Sequence, residues 1–337
     1  MSPAASVSIL LKKHDFANRN RQAFVSGGQT LLDILRGGFI QYIIARLRGN
    51  LVISAGTASG TSLGENPGNL LVRAILDSAP VGQLKSLSPR SLVRSTIFDF
   101  GRLVGAGTAL TGAAGTFALD FNAYLNFSLE RSPRPIDTAL ESDAFTSLQL
   151  RMQNGSRDTQ FSGNDRTFDF SGVSWDVVDQ REIMSGHTAL LFEYDIFSAV
   201  TSANNNRSIT DFSVGRRLLS QMYCSESTNQ ALVDTILNRL RVQSGSTVFS
   251  DAFALDYRSN NDPWLDDAAT SLVGTYFVPL SPDMTLGGAI DARQLAQVSA
   301  QVDQSNPGGA ADRFIIMCRD VLYAEDMGMA QPSQAAQ

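Results

Sequence analysis

The segment Thr116–Leu129, TFALDFNAYLNFSL, alternates along its whole length. Phe117, Leu119, Phe121, Ala123, Leu125, Phe127 and Leu129 fall on one side, and Asp120, Asn122, Tyr124, Asn126 and Ser128 on the other. Period two over such a length describes a strand with one buried and one wet face. Its apolar face needs a second layer over it, so the chain must build a layered β structure. A second segment presses the same way. Phe39–Ser54, FIQYIIARLRGNLVIS, is rich in branched and aromatic residues, with Ile43, Ala45 and Leu47 on one side and Tyr42, Ile44, Arg46 and Arg48 on the other. Gly49-Asn50 inside it predicts a bulge or bend. At a rise of about 3.3 Å per residue this run would reach about 50 Å, a length that suits a large, bent sandwich.

The rest of the chain repeats this style. Leu70–Leu76 reads as a strand or short helix, and Leu31–Leu35 as one helical turn. Ser91–Phe100 follows a Pro-containing turn. Phe145–Met152, His187–Val200, Thr247–Tyr257, Thr270–Leu280 and Arg313–Tyr323 read as strands. Ser54–Asn69 and Gly101–Gly115 are loops of Gly, Thr and Ser. One segment has a helical period: in Ser227–Val242, Leu232, Val233, Ile236, Leu237 and Leu240 share one face, Ser227 or Thr228 can cap it, and Arg239 and Arg241 suit its C-terminal end. Many strands and one helix argue for an all-β chain and against alternating α/β folds.

Residues 155–172 are polar and read as a connector. They divide the chain into an arm (1–30, with Gly27-Gly28 as a hinge), a first half (31–160), a second half (161–325) and a tail (326–337). The halves echo each other. In the first, a strand runs into a Pro-bearing turn, Ile136–Phe145 and a closing strand. In the second, Leu272–Leu280 runs into Ser281-Pro282-Asp283, Leu286–Leu295 and closing strands.

Composition excludes several classes. With 43% hydrophobic residues and a net charge of only -6 over 337 residues, the chain is not disordered. The short apolar run Val7–Leu11 precedes the first positive charges, the reverse of a secretory signal. No stretch approaches the ~20 apolar residues of a spanning helix. Two cysteines, Cys224 and Cys318, and two histidines, His14 and His187, are too scattered for a structural zinc site, and the thiols are expected to be reduced core residues. Charge is uneven. Residues 1–100 hold 11 Lys+Arg against 5 Asp+Glu, and the remainder 16 against 28, so a net +6 precedes a net -12. Such a basic amino-terminal part suits a polyanion, either nucleic acid or anionic lipid. Lys12, Lys13, Arg19 and Arg21, interleaved with Phe16 and Phe24, are the candidate contacts.

Catalytic patterns are thin. Gly60-Thr61-Ser62-Leu63-Gly64 matches the nucleophile-elbow spacing, but Glu65-Asn66-Pro67-Gly68 follows it where a helix should begin, and His187 is the only downstream histidine. The Gly-rich Gly101–Gly112 gives neither a phosphate loop nor a dinucleotide fingerprint. Asp176 and Asp179 beside Trp175, and Asp266-Asp267 beside Trp264, could serve a glycosidase or a glycan-binding surface, although acid pairs are common on turns. No pattern indicates a metal, a cofactor or a catalytic residue.

Taken in order, the long opening strand Phe39–Ser54, the Gly/Thr loop ending in Glu65-Asn66-Pro67, the apolar Leu70–Leu76, the alternating Phe117–Leu129 and the Pro-Asp turn before Phe145–Met152 resemble the major capsid proteins of tailless icosahedral viruses with an internal membrane, the double jelly-roll lineage that includes the adenovirus hexon. The resemblance covers about a third of the chain. It implies an all-β double jelly roll, two sandwich domains side by side with a few short helices. Ser227–Val242 would then be an inserted loop helix. It also implies a subunit that forms homotrimers of pseudo-hexameric outline and a capsid lattice, and that meets other virion proteins, internal membrane lipid or nucleic acid. Its place would be the virion, after synthesis in the host cytoplasm, with a bacteriophage as the source. The arm would face inward, and deleting residues 1–24 should leave the fold while impairing assembly. The rival classes are a β-sandwich hydrolase using Ser62 with His187 or a carboxylate pair, and a glycan-binding viral spike protein with exposed Trp175 and Trp264.

Overall fold

The computed structural model describes residues 12–15, 21–101, 103–129, 135–183, 189–261, 272–281, 284–305, 312–323 and 326; for 12–15, 135–136, 178–183 and 260–261 only the backbone is described. The predicted opening strand is Phe39–Ile53. Its even register with strand Gly115–Asn126 runs from Tyr42↔Asn126 to Ile53↔Gly115 without a shift. Ile43, Ala45, Leu47 and Leu51 face inward beside Leu119, Phe121, Ala123 and Leu125, all buried. Arg46 reaches Asp120 on the outer side at 2.8 Å. The expected irregularity at Gly49 is present, but the extra residue belongs to the neighbouring strand Phe168–Ile183, where Asp169↔Val52 is followed by Gly172↔Asn50. Gly49 has φ +127, and a Cβ there would lie 2.0 Å from the Gly172 carbonyl oxygen. Only glycine lets the two backbones approach so closely.

These strands form one sheet in the order Lys12–Asp15, Phe168–Ile183, Phe39–Ile53, Gly115–Asn126, with the short Gln22–Ala23 also on Phe168–Ile183. Facing it are Gln29–Asp33, Ser147–Asn154, Leu71–Ala79 and Gly82–Leu87. A second sandwich places Ala189–Ala199, Arg313–Tyr323, Arg217–Glu226 and Thr275–Pro279 against a sheet of Asn204–Ile209, Ser299–Gln304, Leu237–Ser244 and Thr247–Phe253. The inner sheets of the two sandwiches are continuous. They join in a nine-stranded sheet through a parallel ladder of two residue pairs, Lys85↔Glu193 and Ser86↔Tyr194.

One buried cluster fills the first sandwich and continues onto one face of the second, through Met222, Cys224, Ile315 and Met317. The other fills the second sandwich, with Tyr223, Tyr276, Phe314, Ile316 and Cys318. Between the sandwiches lies the helix Pro89–Phe100. Ser88 caps it by accepting from the Ser91 N–H, Pro89 occupies its first turn, and Gly101 ends it in the left-handed region with its N–H on the Ile97 carbonyl.

Several expectations are corrected. Ser227–Val242 is not a helix. A turn at Ser227–Gln230 leads to a bridge between Glu226 and Leu232, and the chain then enters strand Leu237–Ser244. Non-local bonds hold this loop: the Asp234 carboxylate accepts from Gly274 N–H at 2.7 Å and Tyr276 OH at 3.1 Å, and pairs with Arg258. Beyond it, Leu240 and Val242 point inward and the Arg239 and Arg241 side chains outward to Asp251, which is strand period. Leu31–Leu35 is not a helical turn but overlaps strand Gln29–Asp33. Thr247–Tyr257 divides into strand Thr247–Phe253 and helix Ala254–Asn261. The polar stretch 155–172 is built rather than a linker: it contains the short helix Arg157–Gln160, strand Phe161–Asn164 and the start of Phe168–Ile183. The echo between the halves is local. Each repeats a 3-10 turn, a two-residue strand, a second 3-10 turn and a closing strand. The first crosses into the nine-stranded sheet and the second crosses out of it.

Candidate assembly surfaces and the junction between the sandwiches

The described parts of the arm lie along a sheet edge. Lys12–Asp15 pairs antiparallel with Asp179–Glu182, and Gln22 and Ala23 pair with Trp175 and Ser174. Edge strands expose unpaired backbone groups, and this placement covers one. Of the four candidate contacts, Arg21 donates from Nε to Ser174 Oγ at 2.8 Å, so it is tied to the sheet. The side chains of Lys12 and Lys13, and all of Arg19, lie outside the described residues. Phe24 is buried against Phe170, ring centroids 4.8 Å apart. Gly27-Gly28 is a bonded turn, not a free hinge: Gly27 N–H donates to the Gly155 carbonyl and Asn154 N–H to that of Gly28.

At the loop end, Ser54–Asn69 is stitched to three other loops. Asn66 Nδ2 donates to the Leu110 carbonyl at 2.7 Å while its Oδ1 accepts from Leu110 N–H at 2.9 Å. Strand Ser59–Ser62 pairs with Phe161–Asn164. Asn69 Nδ2 donates to Gln230 Oε1 at 3.2 Å. The Asp165 carboxylate accepts from the Thr57 hydroxyl and from the Ala58 and Thr57 N–H groups, which hold it below the ordinary carboxylate range. The Gly-rich segment covers the outer edge of strand Gly115–Asn126. A Cβ at Gly105 would lie 2.3 Å from the Asn122 carbonyl oxygen, and one at Gly107 2.4 Å from that of Asp120. Its glycines serve close backbone approach.

Those hydrolase and glycan-surface candidates that are described, Ser62, Trp175 and Asp176, have partners within the fold. Ser62 ends a strand, and its hydroxyl accepts from Asn66 Nδ2 at 2.6 Å, so no strand-to-helix elbow exists there. His187, Trp264, Asp266 and Asp267, and the side chain of Asp179, lie outside the described residues. Trp175, expected as an exposed aromatic, is fully buried and donates from its indole to Asn154 Oδ1 at 2.9 Å. Asp176 is buried and paired with Arg48. Cys224 and Cys318 are free, buried thiols on opposite faces of the inner sheet; burial pushes Cys224 up to about 12 and raises Cys318 as well. Among the described residues no cluster of three or more His, Cys, Asp or Glu could hold a metal ion, and no helix is long and apolar enough to cross a membrane.

The most concentrated chemistry lies where the sandwiches meet. Lys85 pairs with Glu193 Oε2, Glu193 Oε1 accepts from Arg319 Nε at 2.8 Å, and Arg319 grips Asp99 through both terminal nitrogens at 2.6 and 2.7 Å. All four side chains are buried. Burial pushes the Lys85 ammonium below its usual range despite Glu193. Burial alone would raise Glu193, but Lys85 and Arg319 together hold it down. A second ionic group clamps the other end of the helix. Arg90 joins Glu226 at 2.6 Å and also Glu65, Arg94 joins Glu65 at 3.0 Å, and Arg313 joins Glu226 at 2.8 Å. Between the clamps Phe98 stacks on Phe277, with centroids 4.5 Å apart. A groove of about 270 Å³ opens beside the Arg90 clamp, lined from both sandwiches by Val72, Arg90, Phe197, Glu226 and Arg313. Sequence reasoning missed this junction because its charged members lie on six separate segments. Lys85 itself gave little signal, since its strand Gly82–Leu87, GQLKSL, is half polar in sequence and only the fold buries it.

No protein-family profile matches the chain, and no curated protein matches it. Solved structures do. The chain is similar to one in the atomic structure of Sulfolobus turreted icosahedral virus, with 14% identity, a TM-score of 0.71, and coverage of 96% of this chain and 94% of that one. It is similar to the major capsid protein of bacteriophage PM2, with 10% identity, a TM-score of 0.60, and coverage of 93% and 98%. It is also similar to the Faustovirus major capsid protein, with 10% identity, a TM-score of 0.56, and coverage of 96% and 91%. The fold is therefore the double jelly roll of major capsid proteins.

Proposed function

We propose that this chain is a structural virion protein, the major capsid subunit of an icosahedral virus. The single observation that carries the reading is fold likeness over more than nine-tenths of both chains to the major capsid proteins of bacteriophage PM2 and Faustovirus and to a chain of a turreted icosahedral virus. Two eight-stranded rolls side by side give one subunit two of the six sides of a hexagon, so a homotrimer supplies the pseudo-hexameric capsomer. A bacteriophage source and an internal membrane belong to the same proposal, supported by the PM2 neighbour being a bacteriophage protein. The subunit would be made in the host cytoplasm and meet other virion proteins in the shell.

We infer further that the first roll runs to Ile183 and the second from Ala189, in accord with the strand pairing. The arm, through Lys12, Lys13, Arg19 and Arg21, meets phosphate groups on the inner side; lipid headgroups and nucleic acid offer the same chemistry. The deletion stops at residue 20, because Phe24 is buried in the core and Arg21 and Gln22–Ala23 are bonded to the sheet; it removes the edge strand Lys12–Asp15 with the arm. Size-exclusion chromatography with light scattering tests the central reading. The 36.3 kDa chain should elute as a trimer of about 109 kDa, three times its mass, or as larger shells. A clean monomer at all concentrations overturns it. Vesicles of anionic lipid and single-stranded DNA, offered separately to the full chain and to the residue 1–20 deletion, identify the arm's partner.

A further inference from the structure

The sheet bonds between the rolls are few. The ladder has two residue pairs, and one of them, Lys85↔Glu193, is itself the buried ion pair. Next to it the Ser88 N–H donates to Asp195 Oδ2 at 2.6 Å, tying the helix cap to the second roll. The helix then delivers Asp99 to Arg319. Two cations and two anions thus form one chain from the first roll, across the second roll's strands, to the end of the connecting helix. Burying four charges is a poor way to glue surfaces, since apolar side chains of similar volume adhere as well without desolvating ions. What charges add is direction. A guanidinium held by two oxygens of one carboxylate and one oxygen of another has one satisfied geometry, and any slide or rotation leaves a buried charge unpaired. The apolar contact beside it is more permissive: Phe98, Phe277, Met222 and Met317 surround a cavity of about 10 Å³, and methionine adapts to shifted neighbours.

We propose that the Lys85–Glu193–Arg319–Asp99 chain is an orientation lock, which sets the angle and slide between the two rolls while the apolar contact holds them together. In an assembling subunit the same lock defines the outline offered to neighbouring copies; that last step alone rests on the capsid reading.

The test is a distance distribution on the isolated full chain. Nitroxides are placed at Gln149→Cys in the first roll and Thr247→Cys in the second, both exposed positions, and the buried native thiols stay unlabelled. Gln149→Cys with Val52→Cys serves as a control within the first roll. Pulsed electron resonance should give one narrow inter-roll distance. In the neutral variant Lys85→Met/Glu193→Leu/Arg319→Met/Asp99→Leu, the inter-roll distribution should widen about twofold or more while the control stays narrow. An inter-roll width that stays unchanged overturns the lock. Should the neutral variant not fold, Arg319→Lys decides in its place, since it keeps the charge and loses the fork: widening supports the lock, and an unchanged width overturns it. The distances need no assembly, so a wild-type chain that stays monomeric would sink the capsid reading and leave this measurement intact.

Discussion

The two rolls each use eight main strands, yet they bury them differently. In the first, Phe39–Ile53 and Gly115–Asn126 alternate between buried and wetter positions, because solvent lies on their outer side. In the second, Leu218 to Glu226 is an unbroken buried run, and so is Phe314 to Val321. Those inner strands have one face in the second core and the other against the helix and core of the first roll. The second roll thus borrows its neighbour as a lid, whereas the outer sheet of the first needs none. Polar side chains on the borrowed face must find partners inside the protein, and Glu193 and Arg319 find them in Lys85 and Asp99.

The comparison is most directly broken at the junction. Arg319→Leu leaves Asp99 and Glu193 buried without their shared cation, and should destabilise the chain by about 3–5 kcal/mol. Unfolding should separate into two transitions in calorimetry; a single transition at the wild-type temperature would contradict the dependence of the second roll on the first. Next in size is a pH effect confined to the second roll. Burial raises the Asp320 carboxyl to about 7 and Asp195 to about 6. Folded Asp320 therefore keeps a proton that the unfolded chain releases near pH 4. Stability from this group is full below pH 4 and declines as pH rises through 7, by up to about 1.4 kcal/mol per unit. Asp320→Asn should flatten that decline between pH 5 and pH 8 in urea titrations, and an unchanged slope would place the titration elsewhere. In the first roll, Trp175→Phe removes the donor to buried Asn154 and should cost about 1–3 kcal/mol without splitting the transition. Smallest is Ser88→Ala, which removes the helix cap and should cost about 1 kcal/mol by thermal melting.

Much of the first roll was legible. Its strands carry period two because one face meets water, and Gly49 marked the close approach to Gly172. The helix Pro89–Phe100 was missed although Ser88-Pro89 and Gly101 are ordinary start and stop signals. Arg90, Ser91, Arg94 and Ser95 do follow a helical spacing, but the stretch is short and ten of its twelve residues are buried, its charges being taken up by partners inside the protein. The opposite error occurred at Ser227–Val242, where apolar spacing imitated a helix while Asp234 and the Glu226–Leu232 bridge held the segment open. Of the candidate arm contacts, Arg21 was visible as a charge, but its bond to Ser174 depends on a strand 153 residues away.

Sequence by itself determined the all-β character and the burial sides of the long strands. These follow from local periodicity and residue chemistry, which need no knowledge of distant partners. Tertiary structure alone decided which edge the arm covers, that the inner sheets of the two rolls are continuous, and that Lys85, Asp99, Glu193 and Arg319 converge. Those facts depend on pairings across as many as 220 residues, Asp99 to Arg319 being the longest bond of the junction. A buried charge in a sequence shows that a partner must exist; only the packed chain shows which one.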